Sequence, residues 1–149
     1  MKDLDTLFEA YSADHQNPQN QKIHYVCVPI IVYSIFGLLW ALPTLNYGAL
    51  VINWAWVFAA VASTYYFLLS PKLAVLMLGL VGLGFLSFYT MEGLGLPLAW
   101  ISGALFVAAW IGQFYGHKIE GRKPSFLTDL TYLFIGPLWV LRKAFFKPN

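Results

Sequence analysis

His15, His24 and His117 are the three histidines of this 149-residue chain. Imidazole is the side chain best able to bind a transition metal or to carry a proton near neutral pH. His15 and His24 stand just before the first long apolar segment, and His117 follows the last one. Four apolar segments lie between them. If each crosses a membrane, an even number of crossings returns the chain to its starting side, and all three imidazoles meet at one membrane face. That convergence points to a metal site. Sets rich in imidazole suit Zn, Cu, Fe or Ni, so ligand type alone leaves the metal open.

The residues around each histidine suggest how it is held. On one continuous helix, nine residues would turn His24 about 180° away from His15. Asn17-Pro18 supplies a break, because the residue before a proline is pushed away from helical angles, and a turn there folds His15 back toward His24. Asn20 lies one helical turn before His24 and is placed to hold the imidazole nitrogen that does not bind metal. Gln113 stands in the same relation to His117. Glu120, three residues after His117, is a candidate fourth ligand or general base. Gly116 and Gly121 would permit unusual backbone angles around His117. Lys22, Lys118 and Arg122 flank the histidines as candidate cations for an acidic headgroup.

The elements that position these residues are apolar. Hydrophobic residues make up 59% of the chain and charged residues 11%, far below the roughly 25% charged of soluble domains. A single integral membrane domain over residues 1–149 is expected, all-α, with four transmembrane helices near residues 25–42, 49–69, 73–89 and 96–115. None of these segments contains Lys, Arg, Asp or Glu. Pro29 predicts a kink or a late helix start just after His24. Gly79, Gly82 and Gly84, and the Gly112-x-x-x-Gly116 pair, offer close backbone approach. For the pair, packing within the chain is expected ahead of a homodimer face. The apolar stretch 126–141, interrupted by Asp129 and Gly136-Pro137, is read as an interfacial or re-entrant helix with Trp139 at headgroup depth.

The basic residues orient the chain. All nine Lys and Arg, from Lys2 to Lys147, fall on the side of the termini and of the Ser70–Lys72 loop. By the positive-inside rule both termini are cytoplasmic. The N-terminal stretch lacks a basic region followed by an apolar core, so a cleaved signal peptide is not expected. Cys27 is the one cysteine, which excludes an intramolecular disulfide. The formal charge of +2 and the absence of a basic-aromatic tract argue against nucleic acid as a partner.

Together the two histidine clusters resemble the small membrane 2-hydroxy fatty acid dioxygenases of fatty acid α-oxidation. The founding member of that family is a yeast enzyme in the conversion of phytosphingosine to odd-numbered fatty acids. The resemblance rests on His15, Asn20, His24 and Pro29, on Gln113, Gly116 and His117, and on Glu120 to Pro124. It continues through Ser125-Phe126-Leu127 and Ile135-Gly136-Pro137-Leu138-Trp139. Two departures stand out. Cys27 occupies a place where many relatives have Gly, and Glu120 follows His117 by three residues where eukaryotic relatives often have four.

The resemblance implies an Fe(II)-dependent dioxygenase, with iron on His15, His24 and His117, that shortens a long-chain 2-hydroxy fatty acid by one carbon using O2. Three histidines would leave room on octahedral iron for a substrate chelating through its hydroxyl and carboxylate, and for O2. Arg122 is the preferred partner of the carboxylate, because a guanidinium can meet it bidentately. The acyl chain would run between the helices, in contact with membrane lipid. The compartment implied is a bacterial inner membrane or the endoplasmic reticulum, with the site on the cytoplasmic face. The rival readings are a non-enzymatic membrane scaffold or lipid-binding protein, and a haem- or zinc-binding membrane protein.

Overall fold

The computed structural model describes residues 4–121 and 129–145. In chain order it contains α1 (Leu4–Ala13), α2 (Pro18–Trp40), a two-stranded antiparallel hairpin of β1 (Leu45–Tyr47) and β2 (Leu50–Ile52), α3 (Trp54–Leu69), α4 (Pro71–Gly93), α5 (Leu98–Glu120) and α6 (Asp129–Phe145). α2, α4 and α5 are each 23 residues long and apolar enough to cross a membrane. At 1.5 Å per residue each spans about 35 Å, more than the roughly 30 Å of a hydrocarbon core. Only 22–28% of each apolar window is buried within the protein. Much of the remainder is exposed, as expected where lipid is the solvent, and three helices of this length and composition mark a membrane protein.

The second expected span is corrected. Ala49–Ile52 do not begin a helix: Leu50–Ile52 pair with Leu45–Tyr47, and Gly48 turns the hairpin at φ +60°. A positive φ costs glycine nothing and most other residues a good deal. α3 then starts behind Asn53, whose side chain caps it by accepting from Ala55 N at 2.9 Å. It runs for 16 residues, about 24 Å. α2 begins at Pro18, earlier than expected, and continues through Pro29, so a late start after His24 is not found.

By its contacts the chain forms two compact units. The unit of residues 32–106 has a core of Phe36, Ala55, Ala59, Phe85, Phe88 and Leu98. Gly37 allows a close approach there, since a Cβ would lie 2.2 Å from Ser102 Oγ and 3.1 Å from its Cβ. The expectation for α4 does not hold. A Cβ on Gly79 or Gly82 would meet no described atom within 4 Å, and one on Gly84 would make ordinary contact with Tyr33.

The unit of residues 1–31 and 107–149 joins α1 and α6 to the nearer parts of α2 and α5. α1 is legible as an amphipathic helix, with Leu4, Leu7, Phe8 and Tyr11 at helical spacing, and it buries Phe8 and Tyr11. α6 packs against it. Ile135, Leu138, Trp139, Val140 and Leu141 are buried there. Trp139 therefore lies inside the protein, packed against α1. Its Nε1 donates to Ser12 Oγ at 2.8 Å, and the Lys143 ammonium sits 4.3 Å from the ring centroid. Arg142 pairs with Asp5 on α1. Both partners are largely exposed, so that pair adds little to stability.

Candidate metal centre

The break that brings His15 to His24 is built locally. α1 ends at Ala13, and Pro18 takes the first helical position of α2, where its missing N–H costs nothing. Asn17 caps the new helix, its side chain accepting from Gln19 N at 2.8 Å. His15 lies in the short connection, and Gln21 fixes it by donating to the His15 carbonyl at 2.7 Å. His24 is on α2, and His117 is on the last turn of α5. That helix stops at Glu120 because Gly121 follows at φ +74°, a left-handed cap.

These elements bring the three sequence-predicted ligands together. His15, His24 and His117 each offer a ring nitrogen, and the three nitrogens lie within 4.8 Å of one another. The ring centroids of His117 are 5.5 Å from His15 and 5.2 Å from His24. His15 and His24 are buried, and His117 is half-buried. Among the described residues this is the one cluster of its kind.

The hydrogen bonds of the first two rings test whether a metal fits. His15 Nδ1 lies 2.7 Å from the Tyr11 carbonyl, and His24 Nδ1 lies 3.0 Å from the Asn20 carbonyl. A carbonyl only accepts, so each Nδ1 carries the proton and each Nε2 presents a lone pair. Those two Nε2 atoms are 3.0 Å apart. Two facing lone pairs repel unless a cation stands between them. Burial disfavours a proton in that role. Desolvation holds His15 below its ordinary 6.5, outweighing the Tyr11 carbonyl that favours the charged form. A metal ion resolves the conflict. Nitrogens at this spacing subtend about 90° at an ion about 2.1 Å from each, the angle of neighbouring ligands on an octahedron. His15 and His24 thus fit neighbouring positions on a divalent transition metal, and the cluster of three could hold such an ion.

The supporting residues differ in part from expectation. Asn20 does hold His24, but through its main-chain carbonyl. Its side chain donates from Nδ2 to Glu120 at 2.9 Å, and its Oδ1 is buried without a partner. Gly116 makes room for that side chain, since a Cβ there would be 2.3 Å from Asn20 Oδ1. Its role is close approach, and the left-handed backbone angle belongs to Gly121 alone of the two. Gly112 likewise accommodates Cys27, whose Sγ would be 2.6 Å from an added Cβ. The Gly112/Gly116 pair thus packs against α2 of the same chain. Gln113 is buried one turn before His117.

Glu120 lies outside the cluster of ligand atoms, with its oxygens taken up by main-chain and side-chain N–H groups. Lys22 and Lys118 are exposed beside the site, and Arg122 lies outside the described residues. Sequence reasoning missed Tyr11. Its ring stacks on His15 at 4.2 Å and 10°, and Trp139 closes on both, 5.1 Å from Tyr11 and 6.0 Å from His15. Tyr11 sits one turn before His15, and that spacing was the available signal.

Comparison with curated proteins gave no match, and neither did comparison with solved structures. The family model described as 2-hydroxy-palmitic acid dioxygenase Mpo1-like matches residues 1–147, a range that takes in all three histidines and every element described above. On that match over nearly its whole length, the chain belongs to the Mpo1-like family.

Proposed function

We propose that the protein is an Fe(II)-dependent dioxygenase that converts a long-chain 2-hydroxy fatty acid to the acid one carbon shorter. The observation that carries this reading is the buried pair of Nε2 lone pairs, 3.0 Å apart, with His117 closing the set. The family description supplies the substrate class. The overall change balances as R–CH(OH)–COOH + O2 → R–COOH + CO2 + H2O. A ferrous ion would supply the stepwise electron transfer that lets O2 react with a closed-shell acid.

The chain's own residues then have separable tasks. His15 and His24 are fixed in one tautomer by the carbonyls of Tyr11 and Asn20, so their Nε2 atoms need no reorganisation to bind. Tyr11 and Trp139 wall the His15 side and exclude water there. Arg122 is the proposed partner of the substrate carboxylate, with Lys118 and Lys22 as further cations around the entrance. The acyl chain lies along apolar helix surfaces in contact with lipid. The four apolar segments cross the membrane with both termini and the site on the cytoplasmic face, α3 crossing with help from the preceding strand. This placement rests on the distribution of Lys and Arg.

The test is a comparison of iron-loaded protein with and without O2, given 2-hydroxypalmitic acid and read by mass spectrometry. The C15 acid is expected only in the presence of O2, and the unhydroxylated acid should react poorly because it cannot chelate. Equal product without O2, or no shortened acid from iron-loaded protein, returns the chain to the non-enzymatic reading.

A further inference from the structure

Glu120 touches the chain beside each of the three histidines. It is the last residue of α5, one turn beyond His117. Its Oε1 accepts from Gln16 N at 2.8 Å and from Asn17 N at 3.1 Å, and its Oε2 accepts from Asn17 N at 3.0 Å and from Asn20 Nδ2 at 2.9 Å. Gln16 and Asn17 directly follow His15, in the break that turns it back toward α2. Asn20 is the residue whose carbonyl holds His24 Nδ1. The Asn17 N–H belongs to a helix start, where main-chain donors lack helical partners and favour an anion, and the Gln16 N–H comes just before it.

Asn20 makes the connection rigid. Its side chain is completely buried. One end of the amide reaches Glu120 and the other lies against Gly116, four residues earlier on the same face of α5. The amide is thereby wedged between two points of the helix that carries His117. A carboxylate with both oxygens engaged by main-chain N–H groups would have to abandon those bonds to reach a metal or to take a proton.

We propose that Glu120 is a positioning residue, a latch that sets the spacing of His15 and His24 relative to His117, and neither a metal ligand nor a general base. The role presupposes the three-histidine metal site of the preceding reading, but not its substrate. Gln in place of Glu120 keeps the shape. It removes one acceptor oxygen and turns an NH2 group toward donors, so the latch opens while the ligands remain.

The experiment uses full-length protein in lipid nanodiscs, stripped of metal, with Co(II) as the probe. Affinity is read by chelator competition and ligand geometry by the visible d–d bands. For Glu120→Gln the expected result is an affinity loss of about 10–100-fold with an altered band pattern, the scale seen when groups behind metal ligands are removed. At saturating Fe(II) its kcat should return to within about threefold of the parent, whereas loss of a general base costs about 100–10,000-fold whatever the metal concentration. Glu120→Asp, which keeps the charge, should recover part of the affinity, and it carries the test if Glu120→Gln fails to fold. Unchanged Co(II) affinity and bands in both variants would overturn the latch, as would a kcat that stays lost at saturating iron. If the parent protein yields no shortened acid, the dioxygenase reading falls while the Co(II) measurements still decide the latch.

Discussion

In the unit of residues 32–106 the buried groups are mostly aromatic rings and alanines: Phe36, Phe85 and Phe88 pack with Ala55 and Ala59. In the unit of residues 1–31 and 107–149 the buried set includes His15, Asn20, His24 and Gln113. The first is organised by shape, its closest backbone approach being at Gly37, against Ser102. The second is organised by hydrogen bonds that single out one arrangement, because a buried polar group without a partner is costly. Damage to the first should cost stability, and damage to the second should cost metal. The comparison can be broken if either kind of damage has the other kind of effect.

The largest effects are expected at the ligands. His15→Ala, His24→Ala and His117→Ala should each remove most of the bound iron, read by elemental analysis of anaerobically purified protein. Full occupancy in any one variant would strike that residue from the set. Next in size is Phe88→Ala. It should destabilise the protein by about 3–5 kcal/mol through lost contacts and a cavity, while the protein that remains folded binds Co(II) as tightly as before.

Gly116→Ala sharpens the contrast with a smaller change. The new Cβ meets Asn20 Oδ1 at 2.3 Å, so the Asn20 side chain must shift, disturbing its bond to Glu120 and the fit of α2 against α5 beside His24. Metal affinity should fall by about 10–100-fold. Gly79→Ala, a like change into open space, should leave affinity unchanged and stability within about 1 kcal/mol.

The smallest effect is on pH dependence. Burial holds His15 below 6.5 in the folded protein, so the unfolded chain binds the extra proton first. Stability of the metal-free protein should therefore fall as pH drops below about 6.5 and level off above it. Thermal unfolding between pH 5 and 8 checks this, and His15→Ala should flatten the slope.

Much of the site was legible beforehand because its signals are short-range. The break at Asn17-Pro18, the one-turn spacing of Asn20 to His24 and the three-member histidine set all appear in the structure. The hairpin was legible too, and was passed over. Gly48 between short runs containing Leu45, Tyr47, Val51 and Ile52, with Asn53 as a helix cap behind them, is a strand-turn-strand signal. An apolar run of that length reads equally as the start of a helix, and the hairpin decides between the two only by pairing.

The sequence by itself determined the solvent and the candidate ligands. Long runs without charge can satisfy their backbone groups in lipid only as helices or closed barrels, and three histidines flanking such runs leave few other places for a metal. Tertiary structure alone decided how the ligands are held. Asn20 uses its carbonyl where its side chain was expected, Trp139 lies inside against α1, and Glu120 reaches across 100 residues of sequence to Asn20. The physical reason is that hydropathy and helical periodicity are properties of neighbouring residues. A hydrogen bond between distant ones exists only once packing, here the contact of Gly116 with Asn20, has brought the helices together.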